Sequence, residues 1–298
     1  MAEAPCVYLL DGSSYIFRAF FALPPLSNAS GMPTHAVYGF TNMTLKFLKS
    51  HRPDHLAVVL DAGRETFRNQ IYKEYKGNRP EAPPDLIPQF PYIRKALEAM
   101  NVAVLELSGY EADDLIATLA KYFSTRGIEV IIVSGDKDLM QLVGDGIRLL
   151  DSGKDKWIDI EGVKEKFGVE PDKVVEVMGL MGDAADNIPG VRGIGEKTAS
   201  ALIQRYQSIE NLYDHLHDLE ATGLRGVERI RKALAAGKDQ AFLSRELATV
   251  RADVPIRVEL EQLHFRGWDK QKLQEFFTEM GFTQLLKVVD NNSTEGPF

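Results

Sequence analysis

The chain has 298 residues, of which 44% are hydrophobic and 26% charged, the balance of a globular protein with one large or two modest domains. No apolar run approaches the roughly 20 residues of a membrane helix, no secretory signal is visible, and a single cysteine, Cys6, excludes an internal disulfide. These features predict a cytoplasmic protein. The net charge of −8 argues weakly against nucleic-acid binding, because phosphate contacts recruit Lys and Arg, unless many acids serve a metal site.

Short apolar runs followed by turn residues predict buried strands at 7–10, 57–60, 102–105 and 130–133, with a candidate fifth at 147–150. Helical periodicity lies between them, at 36–48, 88–100 and 113–123. This alternation predicts an α/β domain with a mostly parallel sheet.

The character of the chain changes after about residue 159. Short helices are predicted at 174–180, 196–206, 226–234 and 270–280, joined by Gly-rich turns, and the polar stretch 291–298 is predicted to be a linker or frayed end. No internal repeat is apparent.

Acidic side chains recur at the carboxyl ends of the predicted strands, where ligands bind in an open parallel sheet. They are Asp11, Asp61, Glu111, Asp113, Asp114, Asp136 and Asp138. So many carboxylates need a counter-charge, and Mg²⁺ prefers oxygen ligands. Taken singly, the acids at the start of the 113–123 helix are better explained as caps. The convergence of three strand ends favours a metal site suited to phosphodiester hydrolysis.

Two further acids, Asp183 and Asp186, precede a Gly-rich turn at 190–195. The turn resembles a nucleotide-binding P-loop but does not match it. That motif requires a lysine directly after the last glycine, and here Glu196 separates the glycine from Lys197. A helix-hairpin-helix-like turn fits better, since its glycines let backbone N–H groups approach a DNA phosphate. Arg192, Lys197 and Arg205 can add positive charge.

A basic segment rises from the predicted sheet edge directly after Asp61. Its cations are Arg64, Arg68, Lys73, Lys76 and Arg79, and its aromatic residues are Phe67, Tyr72 and Tyr75. This mixture suits single-stranded nucleic acid or a splayed terminal base pair. For any one residue, a solvated helix face with aromatic side chains turned to the core explains the pattern equally well.

Taken together, these stretches resemble the 5′-nuclease (flap endonuclease) family, and most closely the 5′–3′ exonuclease domain of bacterial DNA polymerase I. The resemblance rests on motifs in family order. They include Leu10-Asp11-Gly12-Ser13, Thr66-Phe67-Arg68, Glu111-Ala112-Asp113-Asp114, Gly135-Asp136-Lys137-Asp138 and the stretch 182–199. No acid of the family set is missing, which argues against an inactive relative.

The resemblance implies a PIN-like α/β nuclease core over 1–170 with a helical arch at about 62–90. It also implies a helix–three-turn–helix DNA-binding region over 171–255, with C-terminal elements at 256–290 that pack on the core. The implied cofactors are two Mg²⁺ (or Mn²⁺), and the turns from Gly190 to Gly195 can hold a monovalent cation such as K⁺ in relatives.

By position, the family's residue roles carry over as follows. The tighter metal corresponds to Asp11, Asp61, Glu111, Asp113 and Asp136, and the second to Asp138, Asp183 and Asp186, with Asp114 near both. Lys76 and Arg79 correspond to catalytic residues at the scissile phosphate, Arg18 to a contact beside them, and Tyr75 to an aromatic that stacks on a terminal base. The DNA contacts expected from the turn and the basic segment are Arg68, Lys73, Gly190, Arg192, Gly193, Gly195, Lys197 and Thr198.

The implied activity is two-metal hydrolysis of branched or flapped DNA, including RNA-primed ends, giving a 5′-phosphate and a 3′-hydroxyl. Such an enzyme removes primers or flaps in replication and repair. The expected setting is a bacterial, nucleoid-associated monomer with a covalently linked polymerase domain. Two alternatives stay open: a non-catalytic protein that binds branched DNA, and a phosphatase or RNase on a similar core. The balance of exonuclease and flap cleavage also stays open.

Overall fold

The computed structural model describes residues 5–290, so the predicted tail at 291–298 lies outside the described residues. Its centre is a six-stranded sheet in the order β3-β2-β1-β4-β5-β6. The strands are β1 (Cys6–Asp11), β2 (Leu56–Val59), β3 (Ala103–Leu105), β4 (Glu129–Val133), β5 (Ile147–Asp151) and β6 (Lys156–Ile158). The first five run parallel, and β6 returns antiparallel along β5. The five predicted strands are confirmed, whereas β6 is too short and polar to show an apolar run.

The sheet separates two hydrophobic cores, because successive side chains of a strand point to opposite faces. Leu10 packs with α1 (Gly12–Ala22), α2 (His35–His51) and α4 (Phe90–Ala99), together with α12 (Lys270–Met280) and α13 (Thr283–Asp290). Leu9 packs on the other side with α5 (Ala112–Ser124) and the helices that follow β6. Burial on both faces explains why β1, β2 and β4 have apolar residues at nearly every position.

Gly12 brings the start of α1 unusually close to the sheet. A Cβ atom there would lie 2.5 Å from Val58 Cγ1 and 2.6 Å from Leu60 Cδ2. The absence of a side chain therefore lets α1 begin immediately after Asp11, at the carboxyl edge of the sheet.

The second half is helical. Its helices are α6 (Ile160–Phe167), α7 (Val174–Met181), α8 (Glu196–Tyr206), α9 (Ile209–Asp214), α10 (Val227–Ala236) and α11 (Lys238–Ala248). The predicted helices at 174–180, 196–206 and 226–234 are confirmed within two residues. The sequence prediction missed α1, α6, α9, α11 and α13. α11 packs closely on α7, where a Cβ atom on Gly179 would lie 2.8 Å from Arg245 Cβ.

The segment at 62–90, expected to be a helical arch, contains one α-helix of five residues, α3 (Phe67–Ile71). A short 3-10 helix follows at Ile87–Gln89, and the rest is turns and irregular chain. Pro80, Pro83 and Pro84 oppose a longer helix here, because proline lacks an N–H and restricts the preceding residue. Among the described residues, no helix is long and apolar enough to cross a membrane.

Candidate metal centre and nucleic-acid interface

The acids at the strand ends lie at one edge of the sheet. Asp11 is the last residue of β1, and the Ser134 hydroxyl beyond β4 donates to its Oδ2 at 2.7 Å. Asp61, beyond β2, accepts a hydrogen bond at 2.8 Å from the backbone N–H of Ala112, the first residue of α5. These bonds tie together segments that are 51 and 123 residues apart in sequence. The parallel topology therefore gathers the acids as predicted.

Several of these carboxyl groups are held in an environment that disfavours their charge. Burial, followed by the charges of Asp136 and Asp11, raises the pKa of Asp113 well above its ordinary value. Burial also raises the pKa of Asp11, although hydrogen bonds from Ser14 and Ser134 oppose the shift. For Asp138, burial and the charge of Asp136 raise the pKa to about 7. The cluster therefore carries more negative charge than its surroundings stabilise, which is the condition that a bound cation relieves.

Two lysines lie between the core acids and the turn at 182–187. Lys76 Nζ is 2.9 Å from Glu111 Oε2 and 3.6 Å from Asp186 Oδ2. Lys137 Nζ is 3.0 Å from Asp138 Oδ1 and also binds Asp183. Burial lowers the pKa of both ammonium groups, but the neighbouring carboxylates outweigh it and the net shift is upward. Each ammonium thus joins an acid of the sheet edge to an acid of the helical half.

The donor set fits a hard divalent cation. In this conformation no three Asp, Glu, His or Cys side chains of residues 5–290 form a group that could hold a metal ion. The lysine ammonium groups instead take the positions between acids that a cation would neutralise. Because every acidic donor is a carboxylate oxygen and several are buried, the residues fit Mg²⁺ or Mn²⁺ better than a softer metal.

A cleft of about 400 Å³ opens beside these acids. Its lining combines Asp136, Asp138, Asp183 and Asp186 with the cations Arg18, Arg79 and Lys137. Arg79 Nη2 binds Asp186 directly. A lining of this kind suits a metal-bridged phosphate, with acids for the metal and guanidinium groups for the phosphate oxygens.

Comparison with known proteins identifies the family. Residues 6–168 match the family described as 5′-3′ exonuclease, N-terminal resolvase-like domain, and residues 169–271 match 5′-3′ exonuclease, C-terminal SAM fold. The chain belongs to the 5′–3′ exonuclease family. The expected α/β nuclease fold, with its helical C-terminal region, and the expected nuclease class are thereby confirmed.

The relatives include whole polymerases and one shorter protein. The chain is 42% identical to DNA polymerase I of Bacillus subtilis, over 99% of its own length and 33% of that protein. It is 41% identical to the 5′-3′ exonuclease of Aquifex aeolicus, over 95% of both chains. The chain therefore spans about a third of the length of the DNA polymerase I proteins that it matches.

Two solved structures share the fold at lower identity. The T5 5′-exonuclease with bound divalent zinc ions superposes with a TM-score of 0.67 at 23% identity, covering 93% of this chain and 98% of that one. The catalytic core of Rad2 in complex with DNA gives a TM-score of 0.62 at 17% identity, covering 96% and 93%.

Within this 5′–3′ exonuclease fold, Asp114 and Arg68 do not have the predicted roles. Asp114 is fully buried, and each of its carboxylate oxygens accepts a 2.8 Å hydrogen bond from Arg68. The backbone N–H groups of Arg251 and Glu111 also donate to it, at 2.8 and 3.1 Å. Asp114 is therefore the buried partner of Arg68, and both of its carboxylate oxygens are occupied by hydrogen bonds in this conformation. Arg68 is only 2% exposed, so its side chain is not accessible to DNA in this conformation.

Tyr75 and Gly190 also depart from their predicted roles. Tyr75 is 4% exposed and donates its hydroxyl hydrogen to Glu111 Oε2 at 3.1 Å, so its ring is not free to stack on a base in this conformation. Gly190 is buried, and its N–H donates to Ser244 Oγ at 2.8 Å, so that N–H is not available to a phosphate. Its positive φ of 59° and its close packing on Gly182 explain why glycine is required there.

The other residues predicted to contact DNA are accessible to solvent. Arg192, Gly193 and Gly195 are exposed in the turn that precedes α8. Lys197 is exposed in the first turn of α8, and Thr198 beside it is partly exposed. Lys73 is exposed beside α3. Arg18 lies at the cleft, with its Nη2 3.9 Å from Asp151 Oδ1.

Sequence reasoning missed three residues that organise the site. The sequence pattern around Asp151, at the end of β5, indicates a turn residue, but the side chain is buried and its Oδ1 lies 3.9 Å from Arg18 Nη2. Ser134 orients Asp11. Lys137 bridges the two acid groups, and its place between Asp136 and Asp138 was the signal available in the sequence. Its partner Asp183 is 46 residues away, so spacing alone could not reveal the contact.

Proposed function

We propose that this chain is a structure-specific nuclease that removes 5′ flaps and 5′-terminal nucleotides from DNA by two-metal hydrolysis, leaving a 5′-phosphate and a 3′-hydroxyl. The observation that carries the proposal is the junction at the cleft, where Lys76 and Lys137 join acids of the sheet edge to Asp186 and Asp183 of the helical half. The acids proposed to be catalytic and the half proposed to bind DNA thus meet at one place, in a chain of the 5′–3′ exonuclease family.

The proposed roles follow from position. Asp11, Asp61, Glu111, Asp113 and Asp136 would hold one divalent cation, and Asp138, Asp183 and Asp186 a second. Such cations activate water and stabilise the leaving oxygen of a phosphodiester. Ser134 keeps the Asp11 carboxylate oriented through its 2.7 Å hydrogen bond. Lys76 and Arg79, which bind Asp186 without DNA, would turn to the phosphate and stabilise the charge that develops on it.

The proposed substrate is branched or flapped DNA, including RNA-primed 5′ ends. Solved relatives of the same fold support this choice, since one is described as a T5 flap endonuclease in complex with DNA and metal ions. The match to about a third of the length of DNA polymerase I proteins supports a linked polymerase domain. We further propose a monomeric enzyme that removes primers at the bacterial nucleoid in the cytoplasm. We propose Mg²⁺ or Mn²⁺ as the cofactors and K⁺ at the turns from Gly190 to Gly195.

Cleavage of a labelled 5′-flap DNA tests this proposal. We expect cutting near the branch in Mg²⁺ and none in EDTA, with products that a ligase seals without further processing. Because metal relieves the repulsion among buried acids, Mg²⁺ is also expected to raise the melting temperature of the DNA-free protein. A protein that binds the flap equally with and without metal and cuts nothing would instead be a binding module. Preference for an all-RNA strand or a phosphomonoester would indicate the RNase or phosphatase alternative.

Replacing Lys76 with methionine is expected to lower kcat on the 5′-flap substrate on the order of a hundredfold, because the reacting phosphate no longer has one of its preorganised cationic donors. Flap binding in EDTA should change little, since binding rests mainly on contacts to the duplex. Single-turnover cleavage and fluorescence anisotropy measure the two quantities. The matched control is Lys121→Met, an exposed lysine near the end of α5. Equal kcat values for the two variants would remove Lys76 from the mechanism.

A further inference from the structure

A five-residue pattern occurs twice in the helical half. Gly190-Val191-Arg192-Gly193-Ile194 precedes α8, and Gly223-Leu224-Arg225-Gly226-Val227 leads directly into α10. The glycines have positive φ angles in both copies, 59° and 91° in the first and 66° and 73° in the second. The prediction of no internal repeat from the sequence therefore overlooked a short pattern that occurs twice, with a positive φ at both glycines of each copy.

The second turn and its helix lie beside the first turn. A Cβ atom on Gly193 would be 3.8 Å from Arg229 Nη2, and one on Gly237, just past the end of α10, would be 2.9 Å from Val191 Cγ1. Arg229 and Gly237, which are eight residues apart, thus both lie against the turn at 190–195. α10 therefore runs alongside the 190–195 turn and extends its surface.

The outward face of α10 is basic. Arg229 and Lys232 are exposed and three residues apart on α10, which places them on one side of the helix, and Arg225 is exposed in the turn directly before it. The inward side contains Ile230 and Leu234, which are 9% and 0% exposed. We call the three exposed cations the α10 basic face.

The three cations of this face form no ion pairs with acidic side chains of the described residues. Within residues 5–290, none of the three has a carboxylate oxygen within 4.0 Å. The same is true of Arg192 in the first turn and of Lys197 at the start of α8. Arg231 on the same helix is different, because it binds Glu220 and Glu228 and donates to the carbonyl oxygen of Leu216. On a chain with a net charge of −8, a run of unpaired cations marks a surface for an anionic partner.

We infer that the α10 basic face is a second contact surface for the phosphate backbone of duplex DNA, continuous with the turn at 190–195; the inference rests on the proposed function. A helix of ten residues is about 15 Å long, so α10 as a whole spans roughly four base pairs at about 3.4 Å each. Residues 223–238 contain no aromatic side chain. Binding to single strands usually relies on aromatic stacking, so the face fits a duplex arm of the substrate.

The test compares the wild-type chain with the triple variant R225Q/R229Q/K232Q. Binding to a flap DNA is measured by anisotropy in EDTA over a range of salt concentrations, with each duplex arm shortened in turn by about four base pairs. The matched control, K95Q/K272Q/K287Q, removes the same charge from exposed lysines of α4, α12 and α13. Binding in EDTA does not depend on cleavage, so the readout is independent of catalysis.

We expect the triple variant to bind at least about tenfold more weakly. The slope of the logarithm of its association constant against the logarithm of the salt concentration should become shallower by about 0.9 for each phosphate that the variant no longer neutralises. Shortening one particular arm should weaken the wild type but not the triple variant. The control should behave like the wild type, and all melting temperatures should agree. At saturating DNA, kcat should be unchanged while KM rises.

The inference would be overturned if the salt slope of the triple variant were unchanged. It would also be overturned if variant and wild type responded equally to shortening of either arm. Either result would leave the proposed nuclease function intact. A weakening no larger than that of the control would mean that only net charge matters, which also overturns it. Failure of the wild type to bind flap DNA at all would defeat the proposed function and this inference together.

Discussion

Replacing Asp113 with asparagine will abolish flap cleavage and, in the same molecule, make the metal-free protein more stable. The decrease in activity, on the order of a thousandfold or more, follows from removing a charged ligand at the centre of the proposed metal site. The gain in stability follows from the raised pKa of this carboxyl group, whose charge is disfavoured by desolvation and by the charges of Asp136 and Asp11.

The pH dependence of that gain has a definite sign. An acid whose pKa is higher in the folded state than in the unfolded state binds its proton more tightly in the fold, so stability falls as pH rises above roughly 4. The melting temperature of Asp113→Asn in EDTA should therefore exceed that of the wild type at neutral pH and converge with it in acid.

Flap cleavage in Mg²⁺ and thermal melts in EDTA at several pH values measure both effects. The control is Asp172→Asn, an exposed carboxylate whose neutralisation should alter neither quantity appreciably. Normal cleavage by Asp113→Asn would defeat the metal assignment. An unchanged melting temperature across the pH range would defeat the account of buried repulsion.

Replacing Arg68 with methionine is expected to destabilise the fold by about 3–5 kcal/mol, because it leaves the fully buried Asp114 carboxylate without its partner. Arg68 also donates to the carbonyl oxygens of Leu247 and Thr249, both at 2.9 Å, so the substitution removes a tie between α3 and the end of α11. Denaturant unfolding measures the change.

Two further variants serve as controls for the Arg68 substitution. Arg94→Met breaks an ion pair with Glu106 in which both side chains are more than a third exposed, and should cost less than about 1 kcal/mol. The double variant R68M/D114L removes both buried charges and should be considerably more stable than the single variant R68M. A single variant as stable as Arg94→Met would show that the buried pair is not a major support of the fold.

The sequence predicted the sheet and the place of its acids because both follow from local pattern and topology. Apolar runs specify buried parallel strands, and an acid directly after such a strand must lie at the carboxyl edge. That reasoning placed Asp11 and Asp61 correctly. It needed no knowledge of how the helical half packs.

Side-chain burial near the edge could not be read in the same way. Asp113 and Asp114 are neighbours on α5, and adjacent helical residues point about 100° apart, so only one can face the cleft. The reciprocal hydrogen bonds between Glu111 and Asp114 form a capping box, so the capping explanation holds for Asp114. Arg68 looked like a DNA contact because basic and aromatic residues alternate around it. Its burial depends on Leu247 and Thr249, about 180 residues away in the chain.

The pairing of β1 has a consequence for how the molecule matures. β1 pairs with β2 about 48 residues later and with β4 about 123 residues later, and Asp183 and Asp186 come later still. Contacts between such distant segments form late, because long loops must close first. A ribosome-bound chain that has emerged only as far as Asp61, just beyond β2, therefore holds two of the acids and no cleft. The cutting centre assembles only when most of the chain has been synthesised and folded, so truncated products of translation should be unable to degrade the DNA around them.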